Sequence, residues 1–310
     1  MIEDAAGMLR RAASRIGRTL PLAGRFFGDR PELDLDGRVV FVTGAARGLG
    51  AEIARQAYAR GAYVALVGRH LSPLRQLAAT LGERAAAFEA DVTDAGALQR
   101  AADATVAAFG GIDVVVANAG IAPPSATVAE ISPQEFERTV EVDLLGQWRT
   151  LRATVPAVIE RRGHILFVGS IFAFFNGVLA APYAVSKAGV EQLARALRVE
   201  LAPRGVTTGI AYLGFIDTDL AADVFAQPRA TLARQAIPGF VTRPMPVTDA
   251  ARAVLDGIQR RAARVTAPVW VAPMLAARSL TTALMDDLLL HSRVVAAAVA
   301  PEDAQPDSQR

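Results

Sequence analysis

Short apolar runs alternate with longer segments of helical periodicity between residues 37 and 272. This alternation predicts a parallel sheet with helices on both faces, because each helix returns the chain to the same end of the sheet through a right-handed crossover. We therefore predict one doubly wound, Rossmann-like α/β domain. The predicted strands cover residues 39–43, 63–67, 85–90, 112–118, 164–169, 206–212 and 269–272, and the predicted helices cover residues 49–60, 71–81, 95–109, 132–161, 181–202 and 249–261.

Two extensions flank the domain of residues 37–272. Residues 1–36 begin with an amphipathic, arginine-rich helical pattern. Residues 273–310 contain a second amphipathic stretch, 274–290, which is a candidate for closing a pocket, and a tail of disordered character, 301–310. Two interpretations of residues 1–20 stay open: a helix that lies on a membrane surface, and a helix that packs on the domain or on a neighbouring subunit.

The composition excludes several classes of function. The chain has no cysteine, which excludes disulfides, thiolate catalysis and cysteine-based metal sites. Its three histidines are far apart in sequence, so we predict no metal site. Basic patches with interleaved aromatic residues are lacking, so we predict no nucleic-acid partner. No uninterrupted apolar run approaches the ~20 residues of a membrane span, and the N-terminus lacks the apolar core of a secretory signal. We expect a cytoplasmic protein, with membrane association through residues 1–20 left open.

The first predicted strand runs into a glycine-rich turn, Thr43-Gly44-x3-Gly48-Leu49-Gly50, which opens the first helix. The three glycines let the backbone turn sharply and approach a diphosphate, while the N–H groups at the helix N-terminus face the anion. Such a pattern alone is weak, but its place between a strand and a helix is the context that dinucleotide binding requires. The alternative is a glycine-rich turn without a ligand.

The second predicted strand ends at Val67-Gly68-Arg69, where an NAD site usually has an acidic side chain for the ribose 2′-hydroxyl. Arg69 occupies this place, and Arg47 lies inside the glycine turn. Two guanidinium groups without a carboxylate suit a 2′-phosphate, so we predict NADP(H) rather than NAD(H). The alternative is a pair of solvated surface arginines in an arginine-rich chain.

Polar and small residues follow the next two predicted strands. Asp91-Val92 ends the third strand, where the carboxylate could accept a hydrogen bond from the adenine amino group. Asn118-Ala119-Gly120 ends the fourth strand, where small residues leave room beside a cofactor. Each segment is also ordinary turn chemistry. Their position at successive carboxyl ends of strands, the binding edge of such sheets, favours a binding site.

A candidate acid/base pair lies on the predicted helix of residues 181–202. Tyr183 and Lys187 are four residues apart and therefore share a face. A nearby ammonium lowers the pKa of a phenol from its usual value near ~10, so Tyr183 could exchange a proton with a substrate oxygen. Ser170, at the end of the fifth strand, could hold the same oxygen. Lys187 is the only lysine among 33 cations, which indicates a need for a compact ammonium charge that arginine cannot supply.

Together these segments resemble the short-chain dehydrogenase/reductase family over residues 36–272. The resemblance implies that Tyr183 is the catalytic acid/base and that Ser170 polarises the carbonyl. It implies that Lys187 lowers the pKa of Tyr183 and binds the nicotinamide ribose, and that hydride passes between the nicotinamide and the substrate carbon. Similar proteins often pair through helices that correspond to residues 132–161 and 181–202, so a homodimer or homotetramer is expected.

A third segment, Leu213-Gly214-Phe215-Ile216-Asp217-Thr218, matches the family's Pro-Gly-x3-Thr pattern and implies cofactor contacts from Ile216 and Thr218. Leu213 departs from that pattern, which affects loop stiffness more than chemistry. Asp143 departs as well, because the family has asparagine there, and the backbone carbonyl of that asparagine holds a water in a proton relay to the lysine. We keep Asp143 as a candidate catalytic residue, either protonated and imitating part of the amide or ionised and attracting Lys187.

Apolar residues surround the expected position of the substrate. If they line a pocket, we expect a lipophilic ketone, aldehyde or alcohol; the alternative is that most of the phenylalanines pack in the core or between subunits. We therefore predict an NADP(H)-dependent oxidoreductase acting on CH–OH or C=O groups. The alternatives are a non-catalytic NADP(H)-binding sensor or scaffold and an NAD-dependent alcohol dehydrogenase. The apolar residues concerned are Ile121, Ala122, Pro123, Pro124, Ile171, Phe172, Ala173, Phe174, Phe175, Val224, Phe225, Ile237 and Phe240.

Overall fold

A parallel sheet is the centre of the protein in a computed structural model that describes residues 32–300. The strand order is β3-β2-β1-β4-β5-β6-β7, so the direction of the winding reverses between β1 and β4. Open parallel sheets bind ligands at such a reversal, outside the carboxyl ends of the strands. The predicted doubly wound, Rossmann-like fold is confirmed. The strands are β1 (Val39–Thr43), β2 (Tyr63–Gly68), β3 (Ala85–Glu89), β4 (Val114–Ala117), β5 (His164–Val168), β6 (Thr207–Leu213) and β7 (Arg264–Ala267).

Helices cover both faces of the sheet. On one face α3, α5 and α6 bury their apolar sides, and on the other face α1, α2 and α10 do so. No helix within residues 32–300 is long and apolar enough to cross a membrane. The helices are α1 (Gly48–Ala59), α2 (Leu71–Leu81), α3 (Ala95–Phe109), α4 (Pro133–Val140), α5 (Gly146–Arg161), α6 (Ala181–Leu201), α7 (Asp219–Phe225), α8 (Pro228–Arg234), α9 (Gly239–Thr242), α10 (Val247–Gln259), α11 (Val271–Ala276), α12 (Arg278–Leu290) and α13 (Arg293–Val299).

The predicted helix of residues 132–161 is interrupted at its centre. It begins as expected, because the Ser132 hydroxyl accepts a hydrogen bond from the backbone N–H of Glu135 and Pro133 occupies the first turn. Between α4 and α5, however, residues Glu141–Leu145 form a π-helical turn. A π turn places one extra residue in the helix, and such turns often occur at functional sites. Asp143 lies in this turn, and its side chain is completely buried.

The last strand was predicted at the wrong place. β7 covers residues 264–267, whereas residue 271 of the predicted strand 269–272 begins α11. Val265 and Ala267 are the buried residues that pair in register with β6. The apolar residue Val269 is 88% exposed.

The two predicted extensions are described only in part. Residues 1–31 and 301–310 lie outside the described residues, which leaves the interpretations of the N-terminal helix and the tail as predictions. Leu33 and Leu35 are buried against the face of the sheet that α1 and α10 cover. The amphipathic stretch 274–290 is divided between α11 and α12. α13 follows it and packs on α8.

Candidate active site

A cleft of about 530 Å³ lies at the carboxyl edge of the sheet. Residues from the carboxyl ends of β2 to β6 line it, together with the glycine turn after β1. The structure brings all of the predicted site residues to this cleft, although they come from segments far apart in the chain. They are Gly44, Arg47, Gly48, Leu49, Gly50, Arg69, Asp91, Val92, Asn118, Ala119, Gly120, Asp143, Ser170, Tyr183, Lys187, Ile216 and Thr218.

The glycine turn leaves room for an anionic ligand. Gly44 and Gly48 have φ values of +66° and +56°, a left-handed backbone that favours glycine. A Cβ on Gly50 would lie 2.3 Å from the carbonyl oxygen of Gly44, so only glycine fits where α1 meets the turn. The N-cap residue Arg47 makes no side-chain hydrogen bond to the first turn of α1. The backbone N–H groups in the first turn of α1 are therefore free to bind phosphate oxygens. This segment fits the diphosphate of a dinucleotide.

Thr43 and Asn118 hold that turn against the end of β4. The Asn118 amide nitrogen donates to the carbonyl oxygen of Thr43 at 2.9 Å. The backbone N–H groups of Asn118 and Ala119 donate to the Thr43 hydroxyl at 3.0 and 3.2 Å. Thr43 is thus a positioning residue that our sequence reasoning did not select. The sequence feature that could have identified Thr43 is its hydroxyl side chain, which stands between an apolar strand and a glycine.

The charged groups near the glycine turn differ in their partners. Asp91 accepts hydrogen bonds from the backbone N–H and the hydroxyl of Thr93, at 2.9 and 2.8 Å, through a single carboxylate oxygen. The Arg47 guanidinium lies 3.5 Å from the Asp219 carboxylate, and both side chains are exposed. Arg69 is exposed, and within residues 32–300 it makes no ion pair. Its guanidinium is available to an anion.

Lys187 lies beneath Tyr183. Its ammonium group is 5.2 Å from the centre of the tyrosine ring and donates to the carbonyl oxygen of Val168 at 3.3 Å. The hydroxyl of Ser170 accepts a hydrogen bond from the backbone N–H of Phe172 at 3.2 Å, which leaves its own proton free to be donated. Burial raises the pKa of Tyr183, while Lys187 and the Ser170 hydroxyl lower it and Asp143 raises it. Lys187 acts in the expected direction, but burial outweighs it.

Asp143 forms a buried ion pair with Lys187. One carboxylate oxygen accepts a hydrogen bond from the backbone N–H of Ile121 at 2.7 Å, as an asparagine oxygen also could. The other lies 3.7 Å from the Lys187 ammonium and has no hydrogen-bond partner within residues 32–300. Burial raises the pKa of Asp143, and the lysine opposes that rise. The 3.7 Å separation suits an ionised carboxylate and burial favours a protonated one, so both predicted states of Asp143 stay predictions.

Gln147 is a further buried polar residue beside this pair, and our sequence reasoning did not select it. Its amide nitrogen lies 3.4 Å from the same Val168 carbonyl oxygen that Lys187 contacts. Its amide oxygen has no hydrogen-bond partner in the described residues. The sequence feature that could have identified Gln147 is a polar side chain four residues after Asp143, on the same face of the predicted helix.

Four aromatic rings form a row along the wall of the cleft. The Phe172 ring packs edge-on against Tyr183 and Phe215, with centroid distances of 5.8 and 6.1 Å, and Phe215 packs on Phe225 at 5.1 Å. We call Tyr183, Phe172, Phe215 and Phe225 the aromatic row. Other apolar residues predicted for the pocket also line the cleft: Ile121, Ala122, Pro123, Val224 and Ile237.

Some residues predicted for the pocket pack elsewhere. Phe174 packs on Phe175 and Tyr212 within the core, at centroid distances of 4.7 and 6.0 Å. Phe240 packs edge-on against Trp270 at 5.8 Å, away from the cleft. The alternative of core packing therefore holds for Phe174 and Phe175, but not for Phe172 and Phe225, which line the cleft. The predicted residues that do not line the cleft are Pro124, Ile171, Ala173, Phe174, Phe175 and Phe240.

The C-terminal helices contact segments that line the cleft. The Arg229 guanidinium on α8 donates to the carbonyl oxygen of Ala298 at 2.8 Å and to the Glu130 carboxylate at 2.7 Å. The amide of Asn176, which lines the cleft, donates to Asp286 of α12 at 3.0 Å. Residues 273–300 contribute no lining side chain. They hold the segments that do line the cleft.

Comparisons with known proteins agree with this geometry. A family model described as short chain dehydrogenase matches residues 38–229. The chain is 36% identical over 216 residues to cis-4-hydroxycyclohexanecarboxylate dehydrogenase of Sinomonas cyclohexanicum, covering 69% of this chain and 87% of that protein. It is 35% identical over 228 residues to 3beta-hydroxysteroid dehydrogenase 1 of Eggerthella lenta, covering 70% and 86%.

A solved structure has the same fold. It is the 3-ketoacyl-(acyl-carrier-protein) reductase from Brucella melitensis complexed with NADH, which matches with a TM-score of 0.68 and 27% sequence identity. The match covers 75% of this chain and 97% of that one. The described domain therefore spans nearly the whole of this relative.

Proposed function

Because this chain belongs to the short chain dehydrogenase family, an oxidoreductase family that acts on CH–OH or C=O groups with a nicotinamide cofactor, we propose that it is an NADP(H)-dependent carbonyl reductase or alcohol dehydrogenase. Its substrate is a lipophilic ketone, aldehyde or secondary alcohol, and Tyr183 is its acid/base group. The observation that carries the proposal is the buried Lys187 ammonium 5.2 Å from the Tyr183 ring, with Ser170 in the same cleft.

Each residue has a defined part in the proposed reaction. The nicotinamide, when bound, supplies or accepts the hydride. In reduction, the Tyr183 hydroxyl donates its proton to the carbonyl oxygen, and in oxidation the phenolate takes the proton of the alcohol. Ser170 holds the same oxygen by donating its free hydroxyl proton. The Lys187 ammonium stabilises the phenolate that remains after reduction. Asp143 stabilises the ammonium in its buried position.

The preference for NADP(H) rests on Arg69. Its guanidinium has no ion-pair partner within residues 32–300 and lines the cleft after β2, where a carboxylate would favour NAD(H). Arg47 is a weaker candidate because Asp219 already lies beside it. NAD(H) is the second candidate cofactor, since the Brucella melitensis relative is complexed with NADH.

The lipophilic substrate is supported by the cleft and by the relatives. The aromatic row and the apolar side chains of Ile121, Val224 and Ile237 cover the wall beyond Tyr183. The names of two relatives indicate ring-containing alcohols, a hydroxycyclohexanecarboxylate and a 3beta-hydroxysteroid. Apolar rings of this kind would bury their surface against such a wall.

We further propose that the protein assembles as a homodimer or homotetramer. Large apolar side chains are exposed on the helices that similar proteins use for pairing: Leu145 ends the π turn, Trp148 lies in the first turn of α5, and Val185 and Val199 lie on α6. A second copy would cover them.

A panel of apolar ketones and aldehydes, assayed by the loss of NADPH absorbance, tests the proposed reaction. We expect turnover of at least one class of lipophilic carbonyl, and faster turnover with NADPH than with NADH. Tight NADPH binding without turnover of any panel member would contradict the proposal and favour a cofactor-binding sensor.

A further inference from the structure

We propose that Arg234 binds an anionic group, a carboxylate, on the substrate and thereby selects lipophilic carbonyl compounds with a distal negative charge. The proposal rests on the proposed function, since it concerns the substrate of the same cleft. Arg234 is the last residue of α8 and lines the cleft. It lies in the segment after β6, where only apolar pocket residues were predicted beyond Thr218.

Arg234 contacts the last ring of the aromatic row. Its guanidinium carbon lies 4.3 Å from the centre of the Phe225 ring. Phe225 ends the row that begins at Tyr183, so successive contacts lead from the proposed acid/base group to the guanidinium. A cation stacked on an aromatic face keeps its N–H donors at the edge of the stack, where they remain available to an oxygen ligand.

Arg234 differs from the other cations of the cleft. Lys187 is paired with Asp143, and Arg47 lies beside Asp219. Arg69 lines the part of the cleft next to the glycine turn. Arg234 makes no ion pair within residues 32–300, although the residue is partly buried and its guanidinium lies over the Phe225 ring. A partly buried guanidinium without a carboxylate partner is suited to a carboxylate from a ligand.

These positions define a substrate with two different ends. Its carbonyl or hydroxyl group lies at Tyr183, its apolar body lies along the rings of Phe172, Phe215 and Phe225, and its carboxylate reaches Arg234. A neutral lipophilic compound would use the first two contacts and lack the third.

The test compares linear ω-oxo carboxylates of increasing length with their methyl esters, each assayed for NADPH oxidation. We expect the wild-type protein to have a lower KM for an acid than for its ester. In Arg234→Gln, the KM for the acid should rise by about 10-fold or more relative to that for the ester, as expected for the loss of a charge-assisted hydrogen bond. Arg234→Lys, which keeps the charge, should restore part of the preference for the acid.

Arg243→Gln is the matched control, because Arg243 is an exposed arginine after α9 that does not line the cleft. It should keep the preference for the acid. Equal effects of Arg234→Gln on acids and esters would assign Arg234 a purely structural role and overturn the proposal, as would the absence of any preference in the wild-type protein.

A binding measurement separates this proposal from the proposed function. Calorimetric titration of the same acids and esters into the NADPH complex of Tyr183→Phe requires no turnover. A preference for acids that Arg234→Gln abolishes would support the carboxylate site even if no probe is reduced. Acids and esters that bind equally would overturn it even if both are reduced.

Discussion

The carboxylate of Asp143 lies 3.7 Å from the ammonium of Lys187, and at most 4% of either side chain is exposed. The family pattern has a neutral asparagine at this position. An ionised Asp143 therefore places an additional negative charge beside Lys187 in the proposed proton-transfer site. Asp143 raises the pKa of Tyr183, whereas Lys187 lowers it. Asp143 therefore offsets part of the lowering of the Tyr183 pKa that Lys187 causes.

Replacing Asp143 by asparagine should shift the pH dependence of alcohol oxidation. Oxidation needs the Tyr183 phenolate, so kcat/KM rises as the pH rises through the pKa of Tyr183. Because Asp143 raises that pKa, Asp143→Asn should lower it and move the rising limb of the profile to lower pH. The measurement is kcat/KM against pH for wild-type protein and variant.

Asp249→Asn is the control for a general loss of negative charge, because Asp249 lies exposed on α10 and pairs with Arg252. Its profile should match that of the wild-type protein. A rising limb that stays in place in Asp143→Asn would mean that Asp143 is protonated throughout the range and that the ion pair with Lys187 does not form.

Arg69→Ala should weaken the binding of NADP more than the binding of NAD. Removing a guanidinium that binds the 2′-phosphate should raise the Kd for NADP by about 10-fold or more, while the Kd for NAD, which lacks the 2′-phosphate, should change little. The measurement is fluorescence titration with both cofactors. Arg75→Ala, an exposed position on α2, is the control. An unchanged ratio of the two affinities would remove Arg69 from the cofactor site.

Arg229→Ala should lower the free energy of unfolding more than Arg252→Ala does. Arg229 is only 12% exposed and connects α8 to Glu130 and to Ala298 of α13. The loss of these charge-assisted hydrogen bonds should cost about 1–3 kcal/mol. The exposed pair of Arg252 and Asp249 should contribute at most about 1 kcal/mol. Urea denaturation measures both values.

The Arg229 contribution should also depend on pH. Its hydrogen bond lowers the pKa of Glu130 below the ordinary value of 4.5, so this part of the stability is present above that value and is lost as the pH falls through the lowered pKa. Equal losses in the two arginine variants at neutral pH would show that the contacts of Arg229 with Glu130 and Ala298 stabilise the protein no more than an exposed ion pair does.

The sheet could be predicted from sequence because buried parallel strands are continuous apolar runs. The predicted bounds of β1, α2 and α3 agree with the structure to the residue. β7 was misplaced because it is an edge strand in which only Val265 and Ala267 are buried. The π turn around Asp143 inserts one residue without any change in composition, so the pattern predicted an unbroken helix.

The parts of the site that depend on local spacing could also be predicted. The three glycines of the turn, and the separation of Tyr183 from Lys187, are visible within a few residues of sequence. The contact of Phe225 with Phe215 and Arg234 was not predictable in the same way. These residues come from different segments whose approach depends on how the chain after β6 folds over the cleft.

The most direct test of the account is the pair of measurements made on Tyr183→Phe: kcat with NADPH and the best lipophilic ketone, and the Kd for NADPH. The variant removes the proton donor and keeps the ring that packs on Phe172. We predict that kcat falls by about 10²-fold or more while NADPH still binds, and that the control Tyr63→Phe, remote on β2, keeps its activity. Full turnover by Tyr183→Phe would contradict the assignment of Tyr183 as the acid/base group.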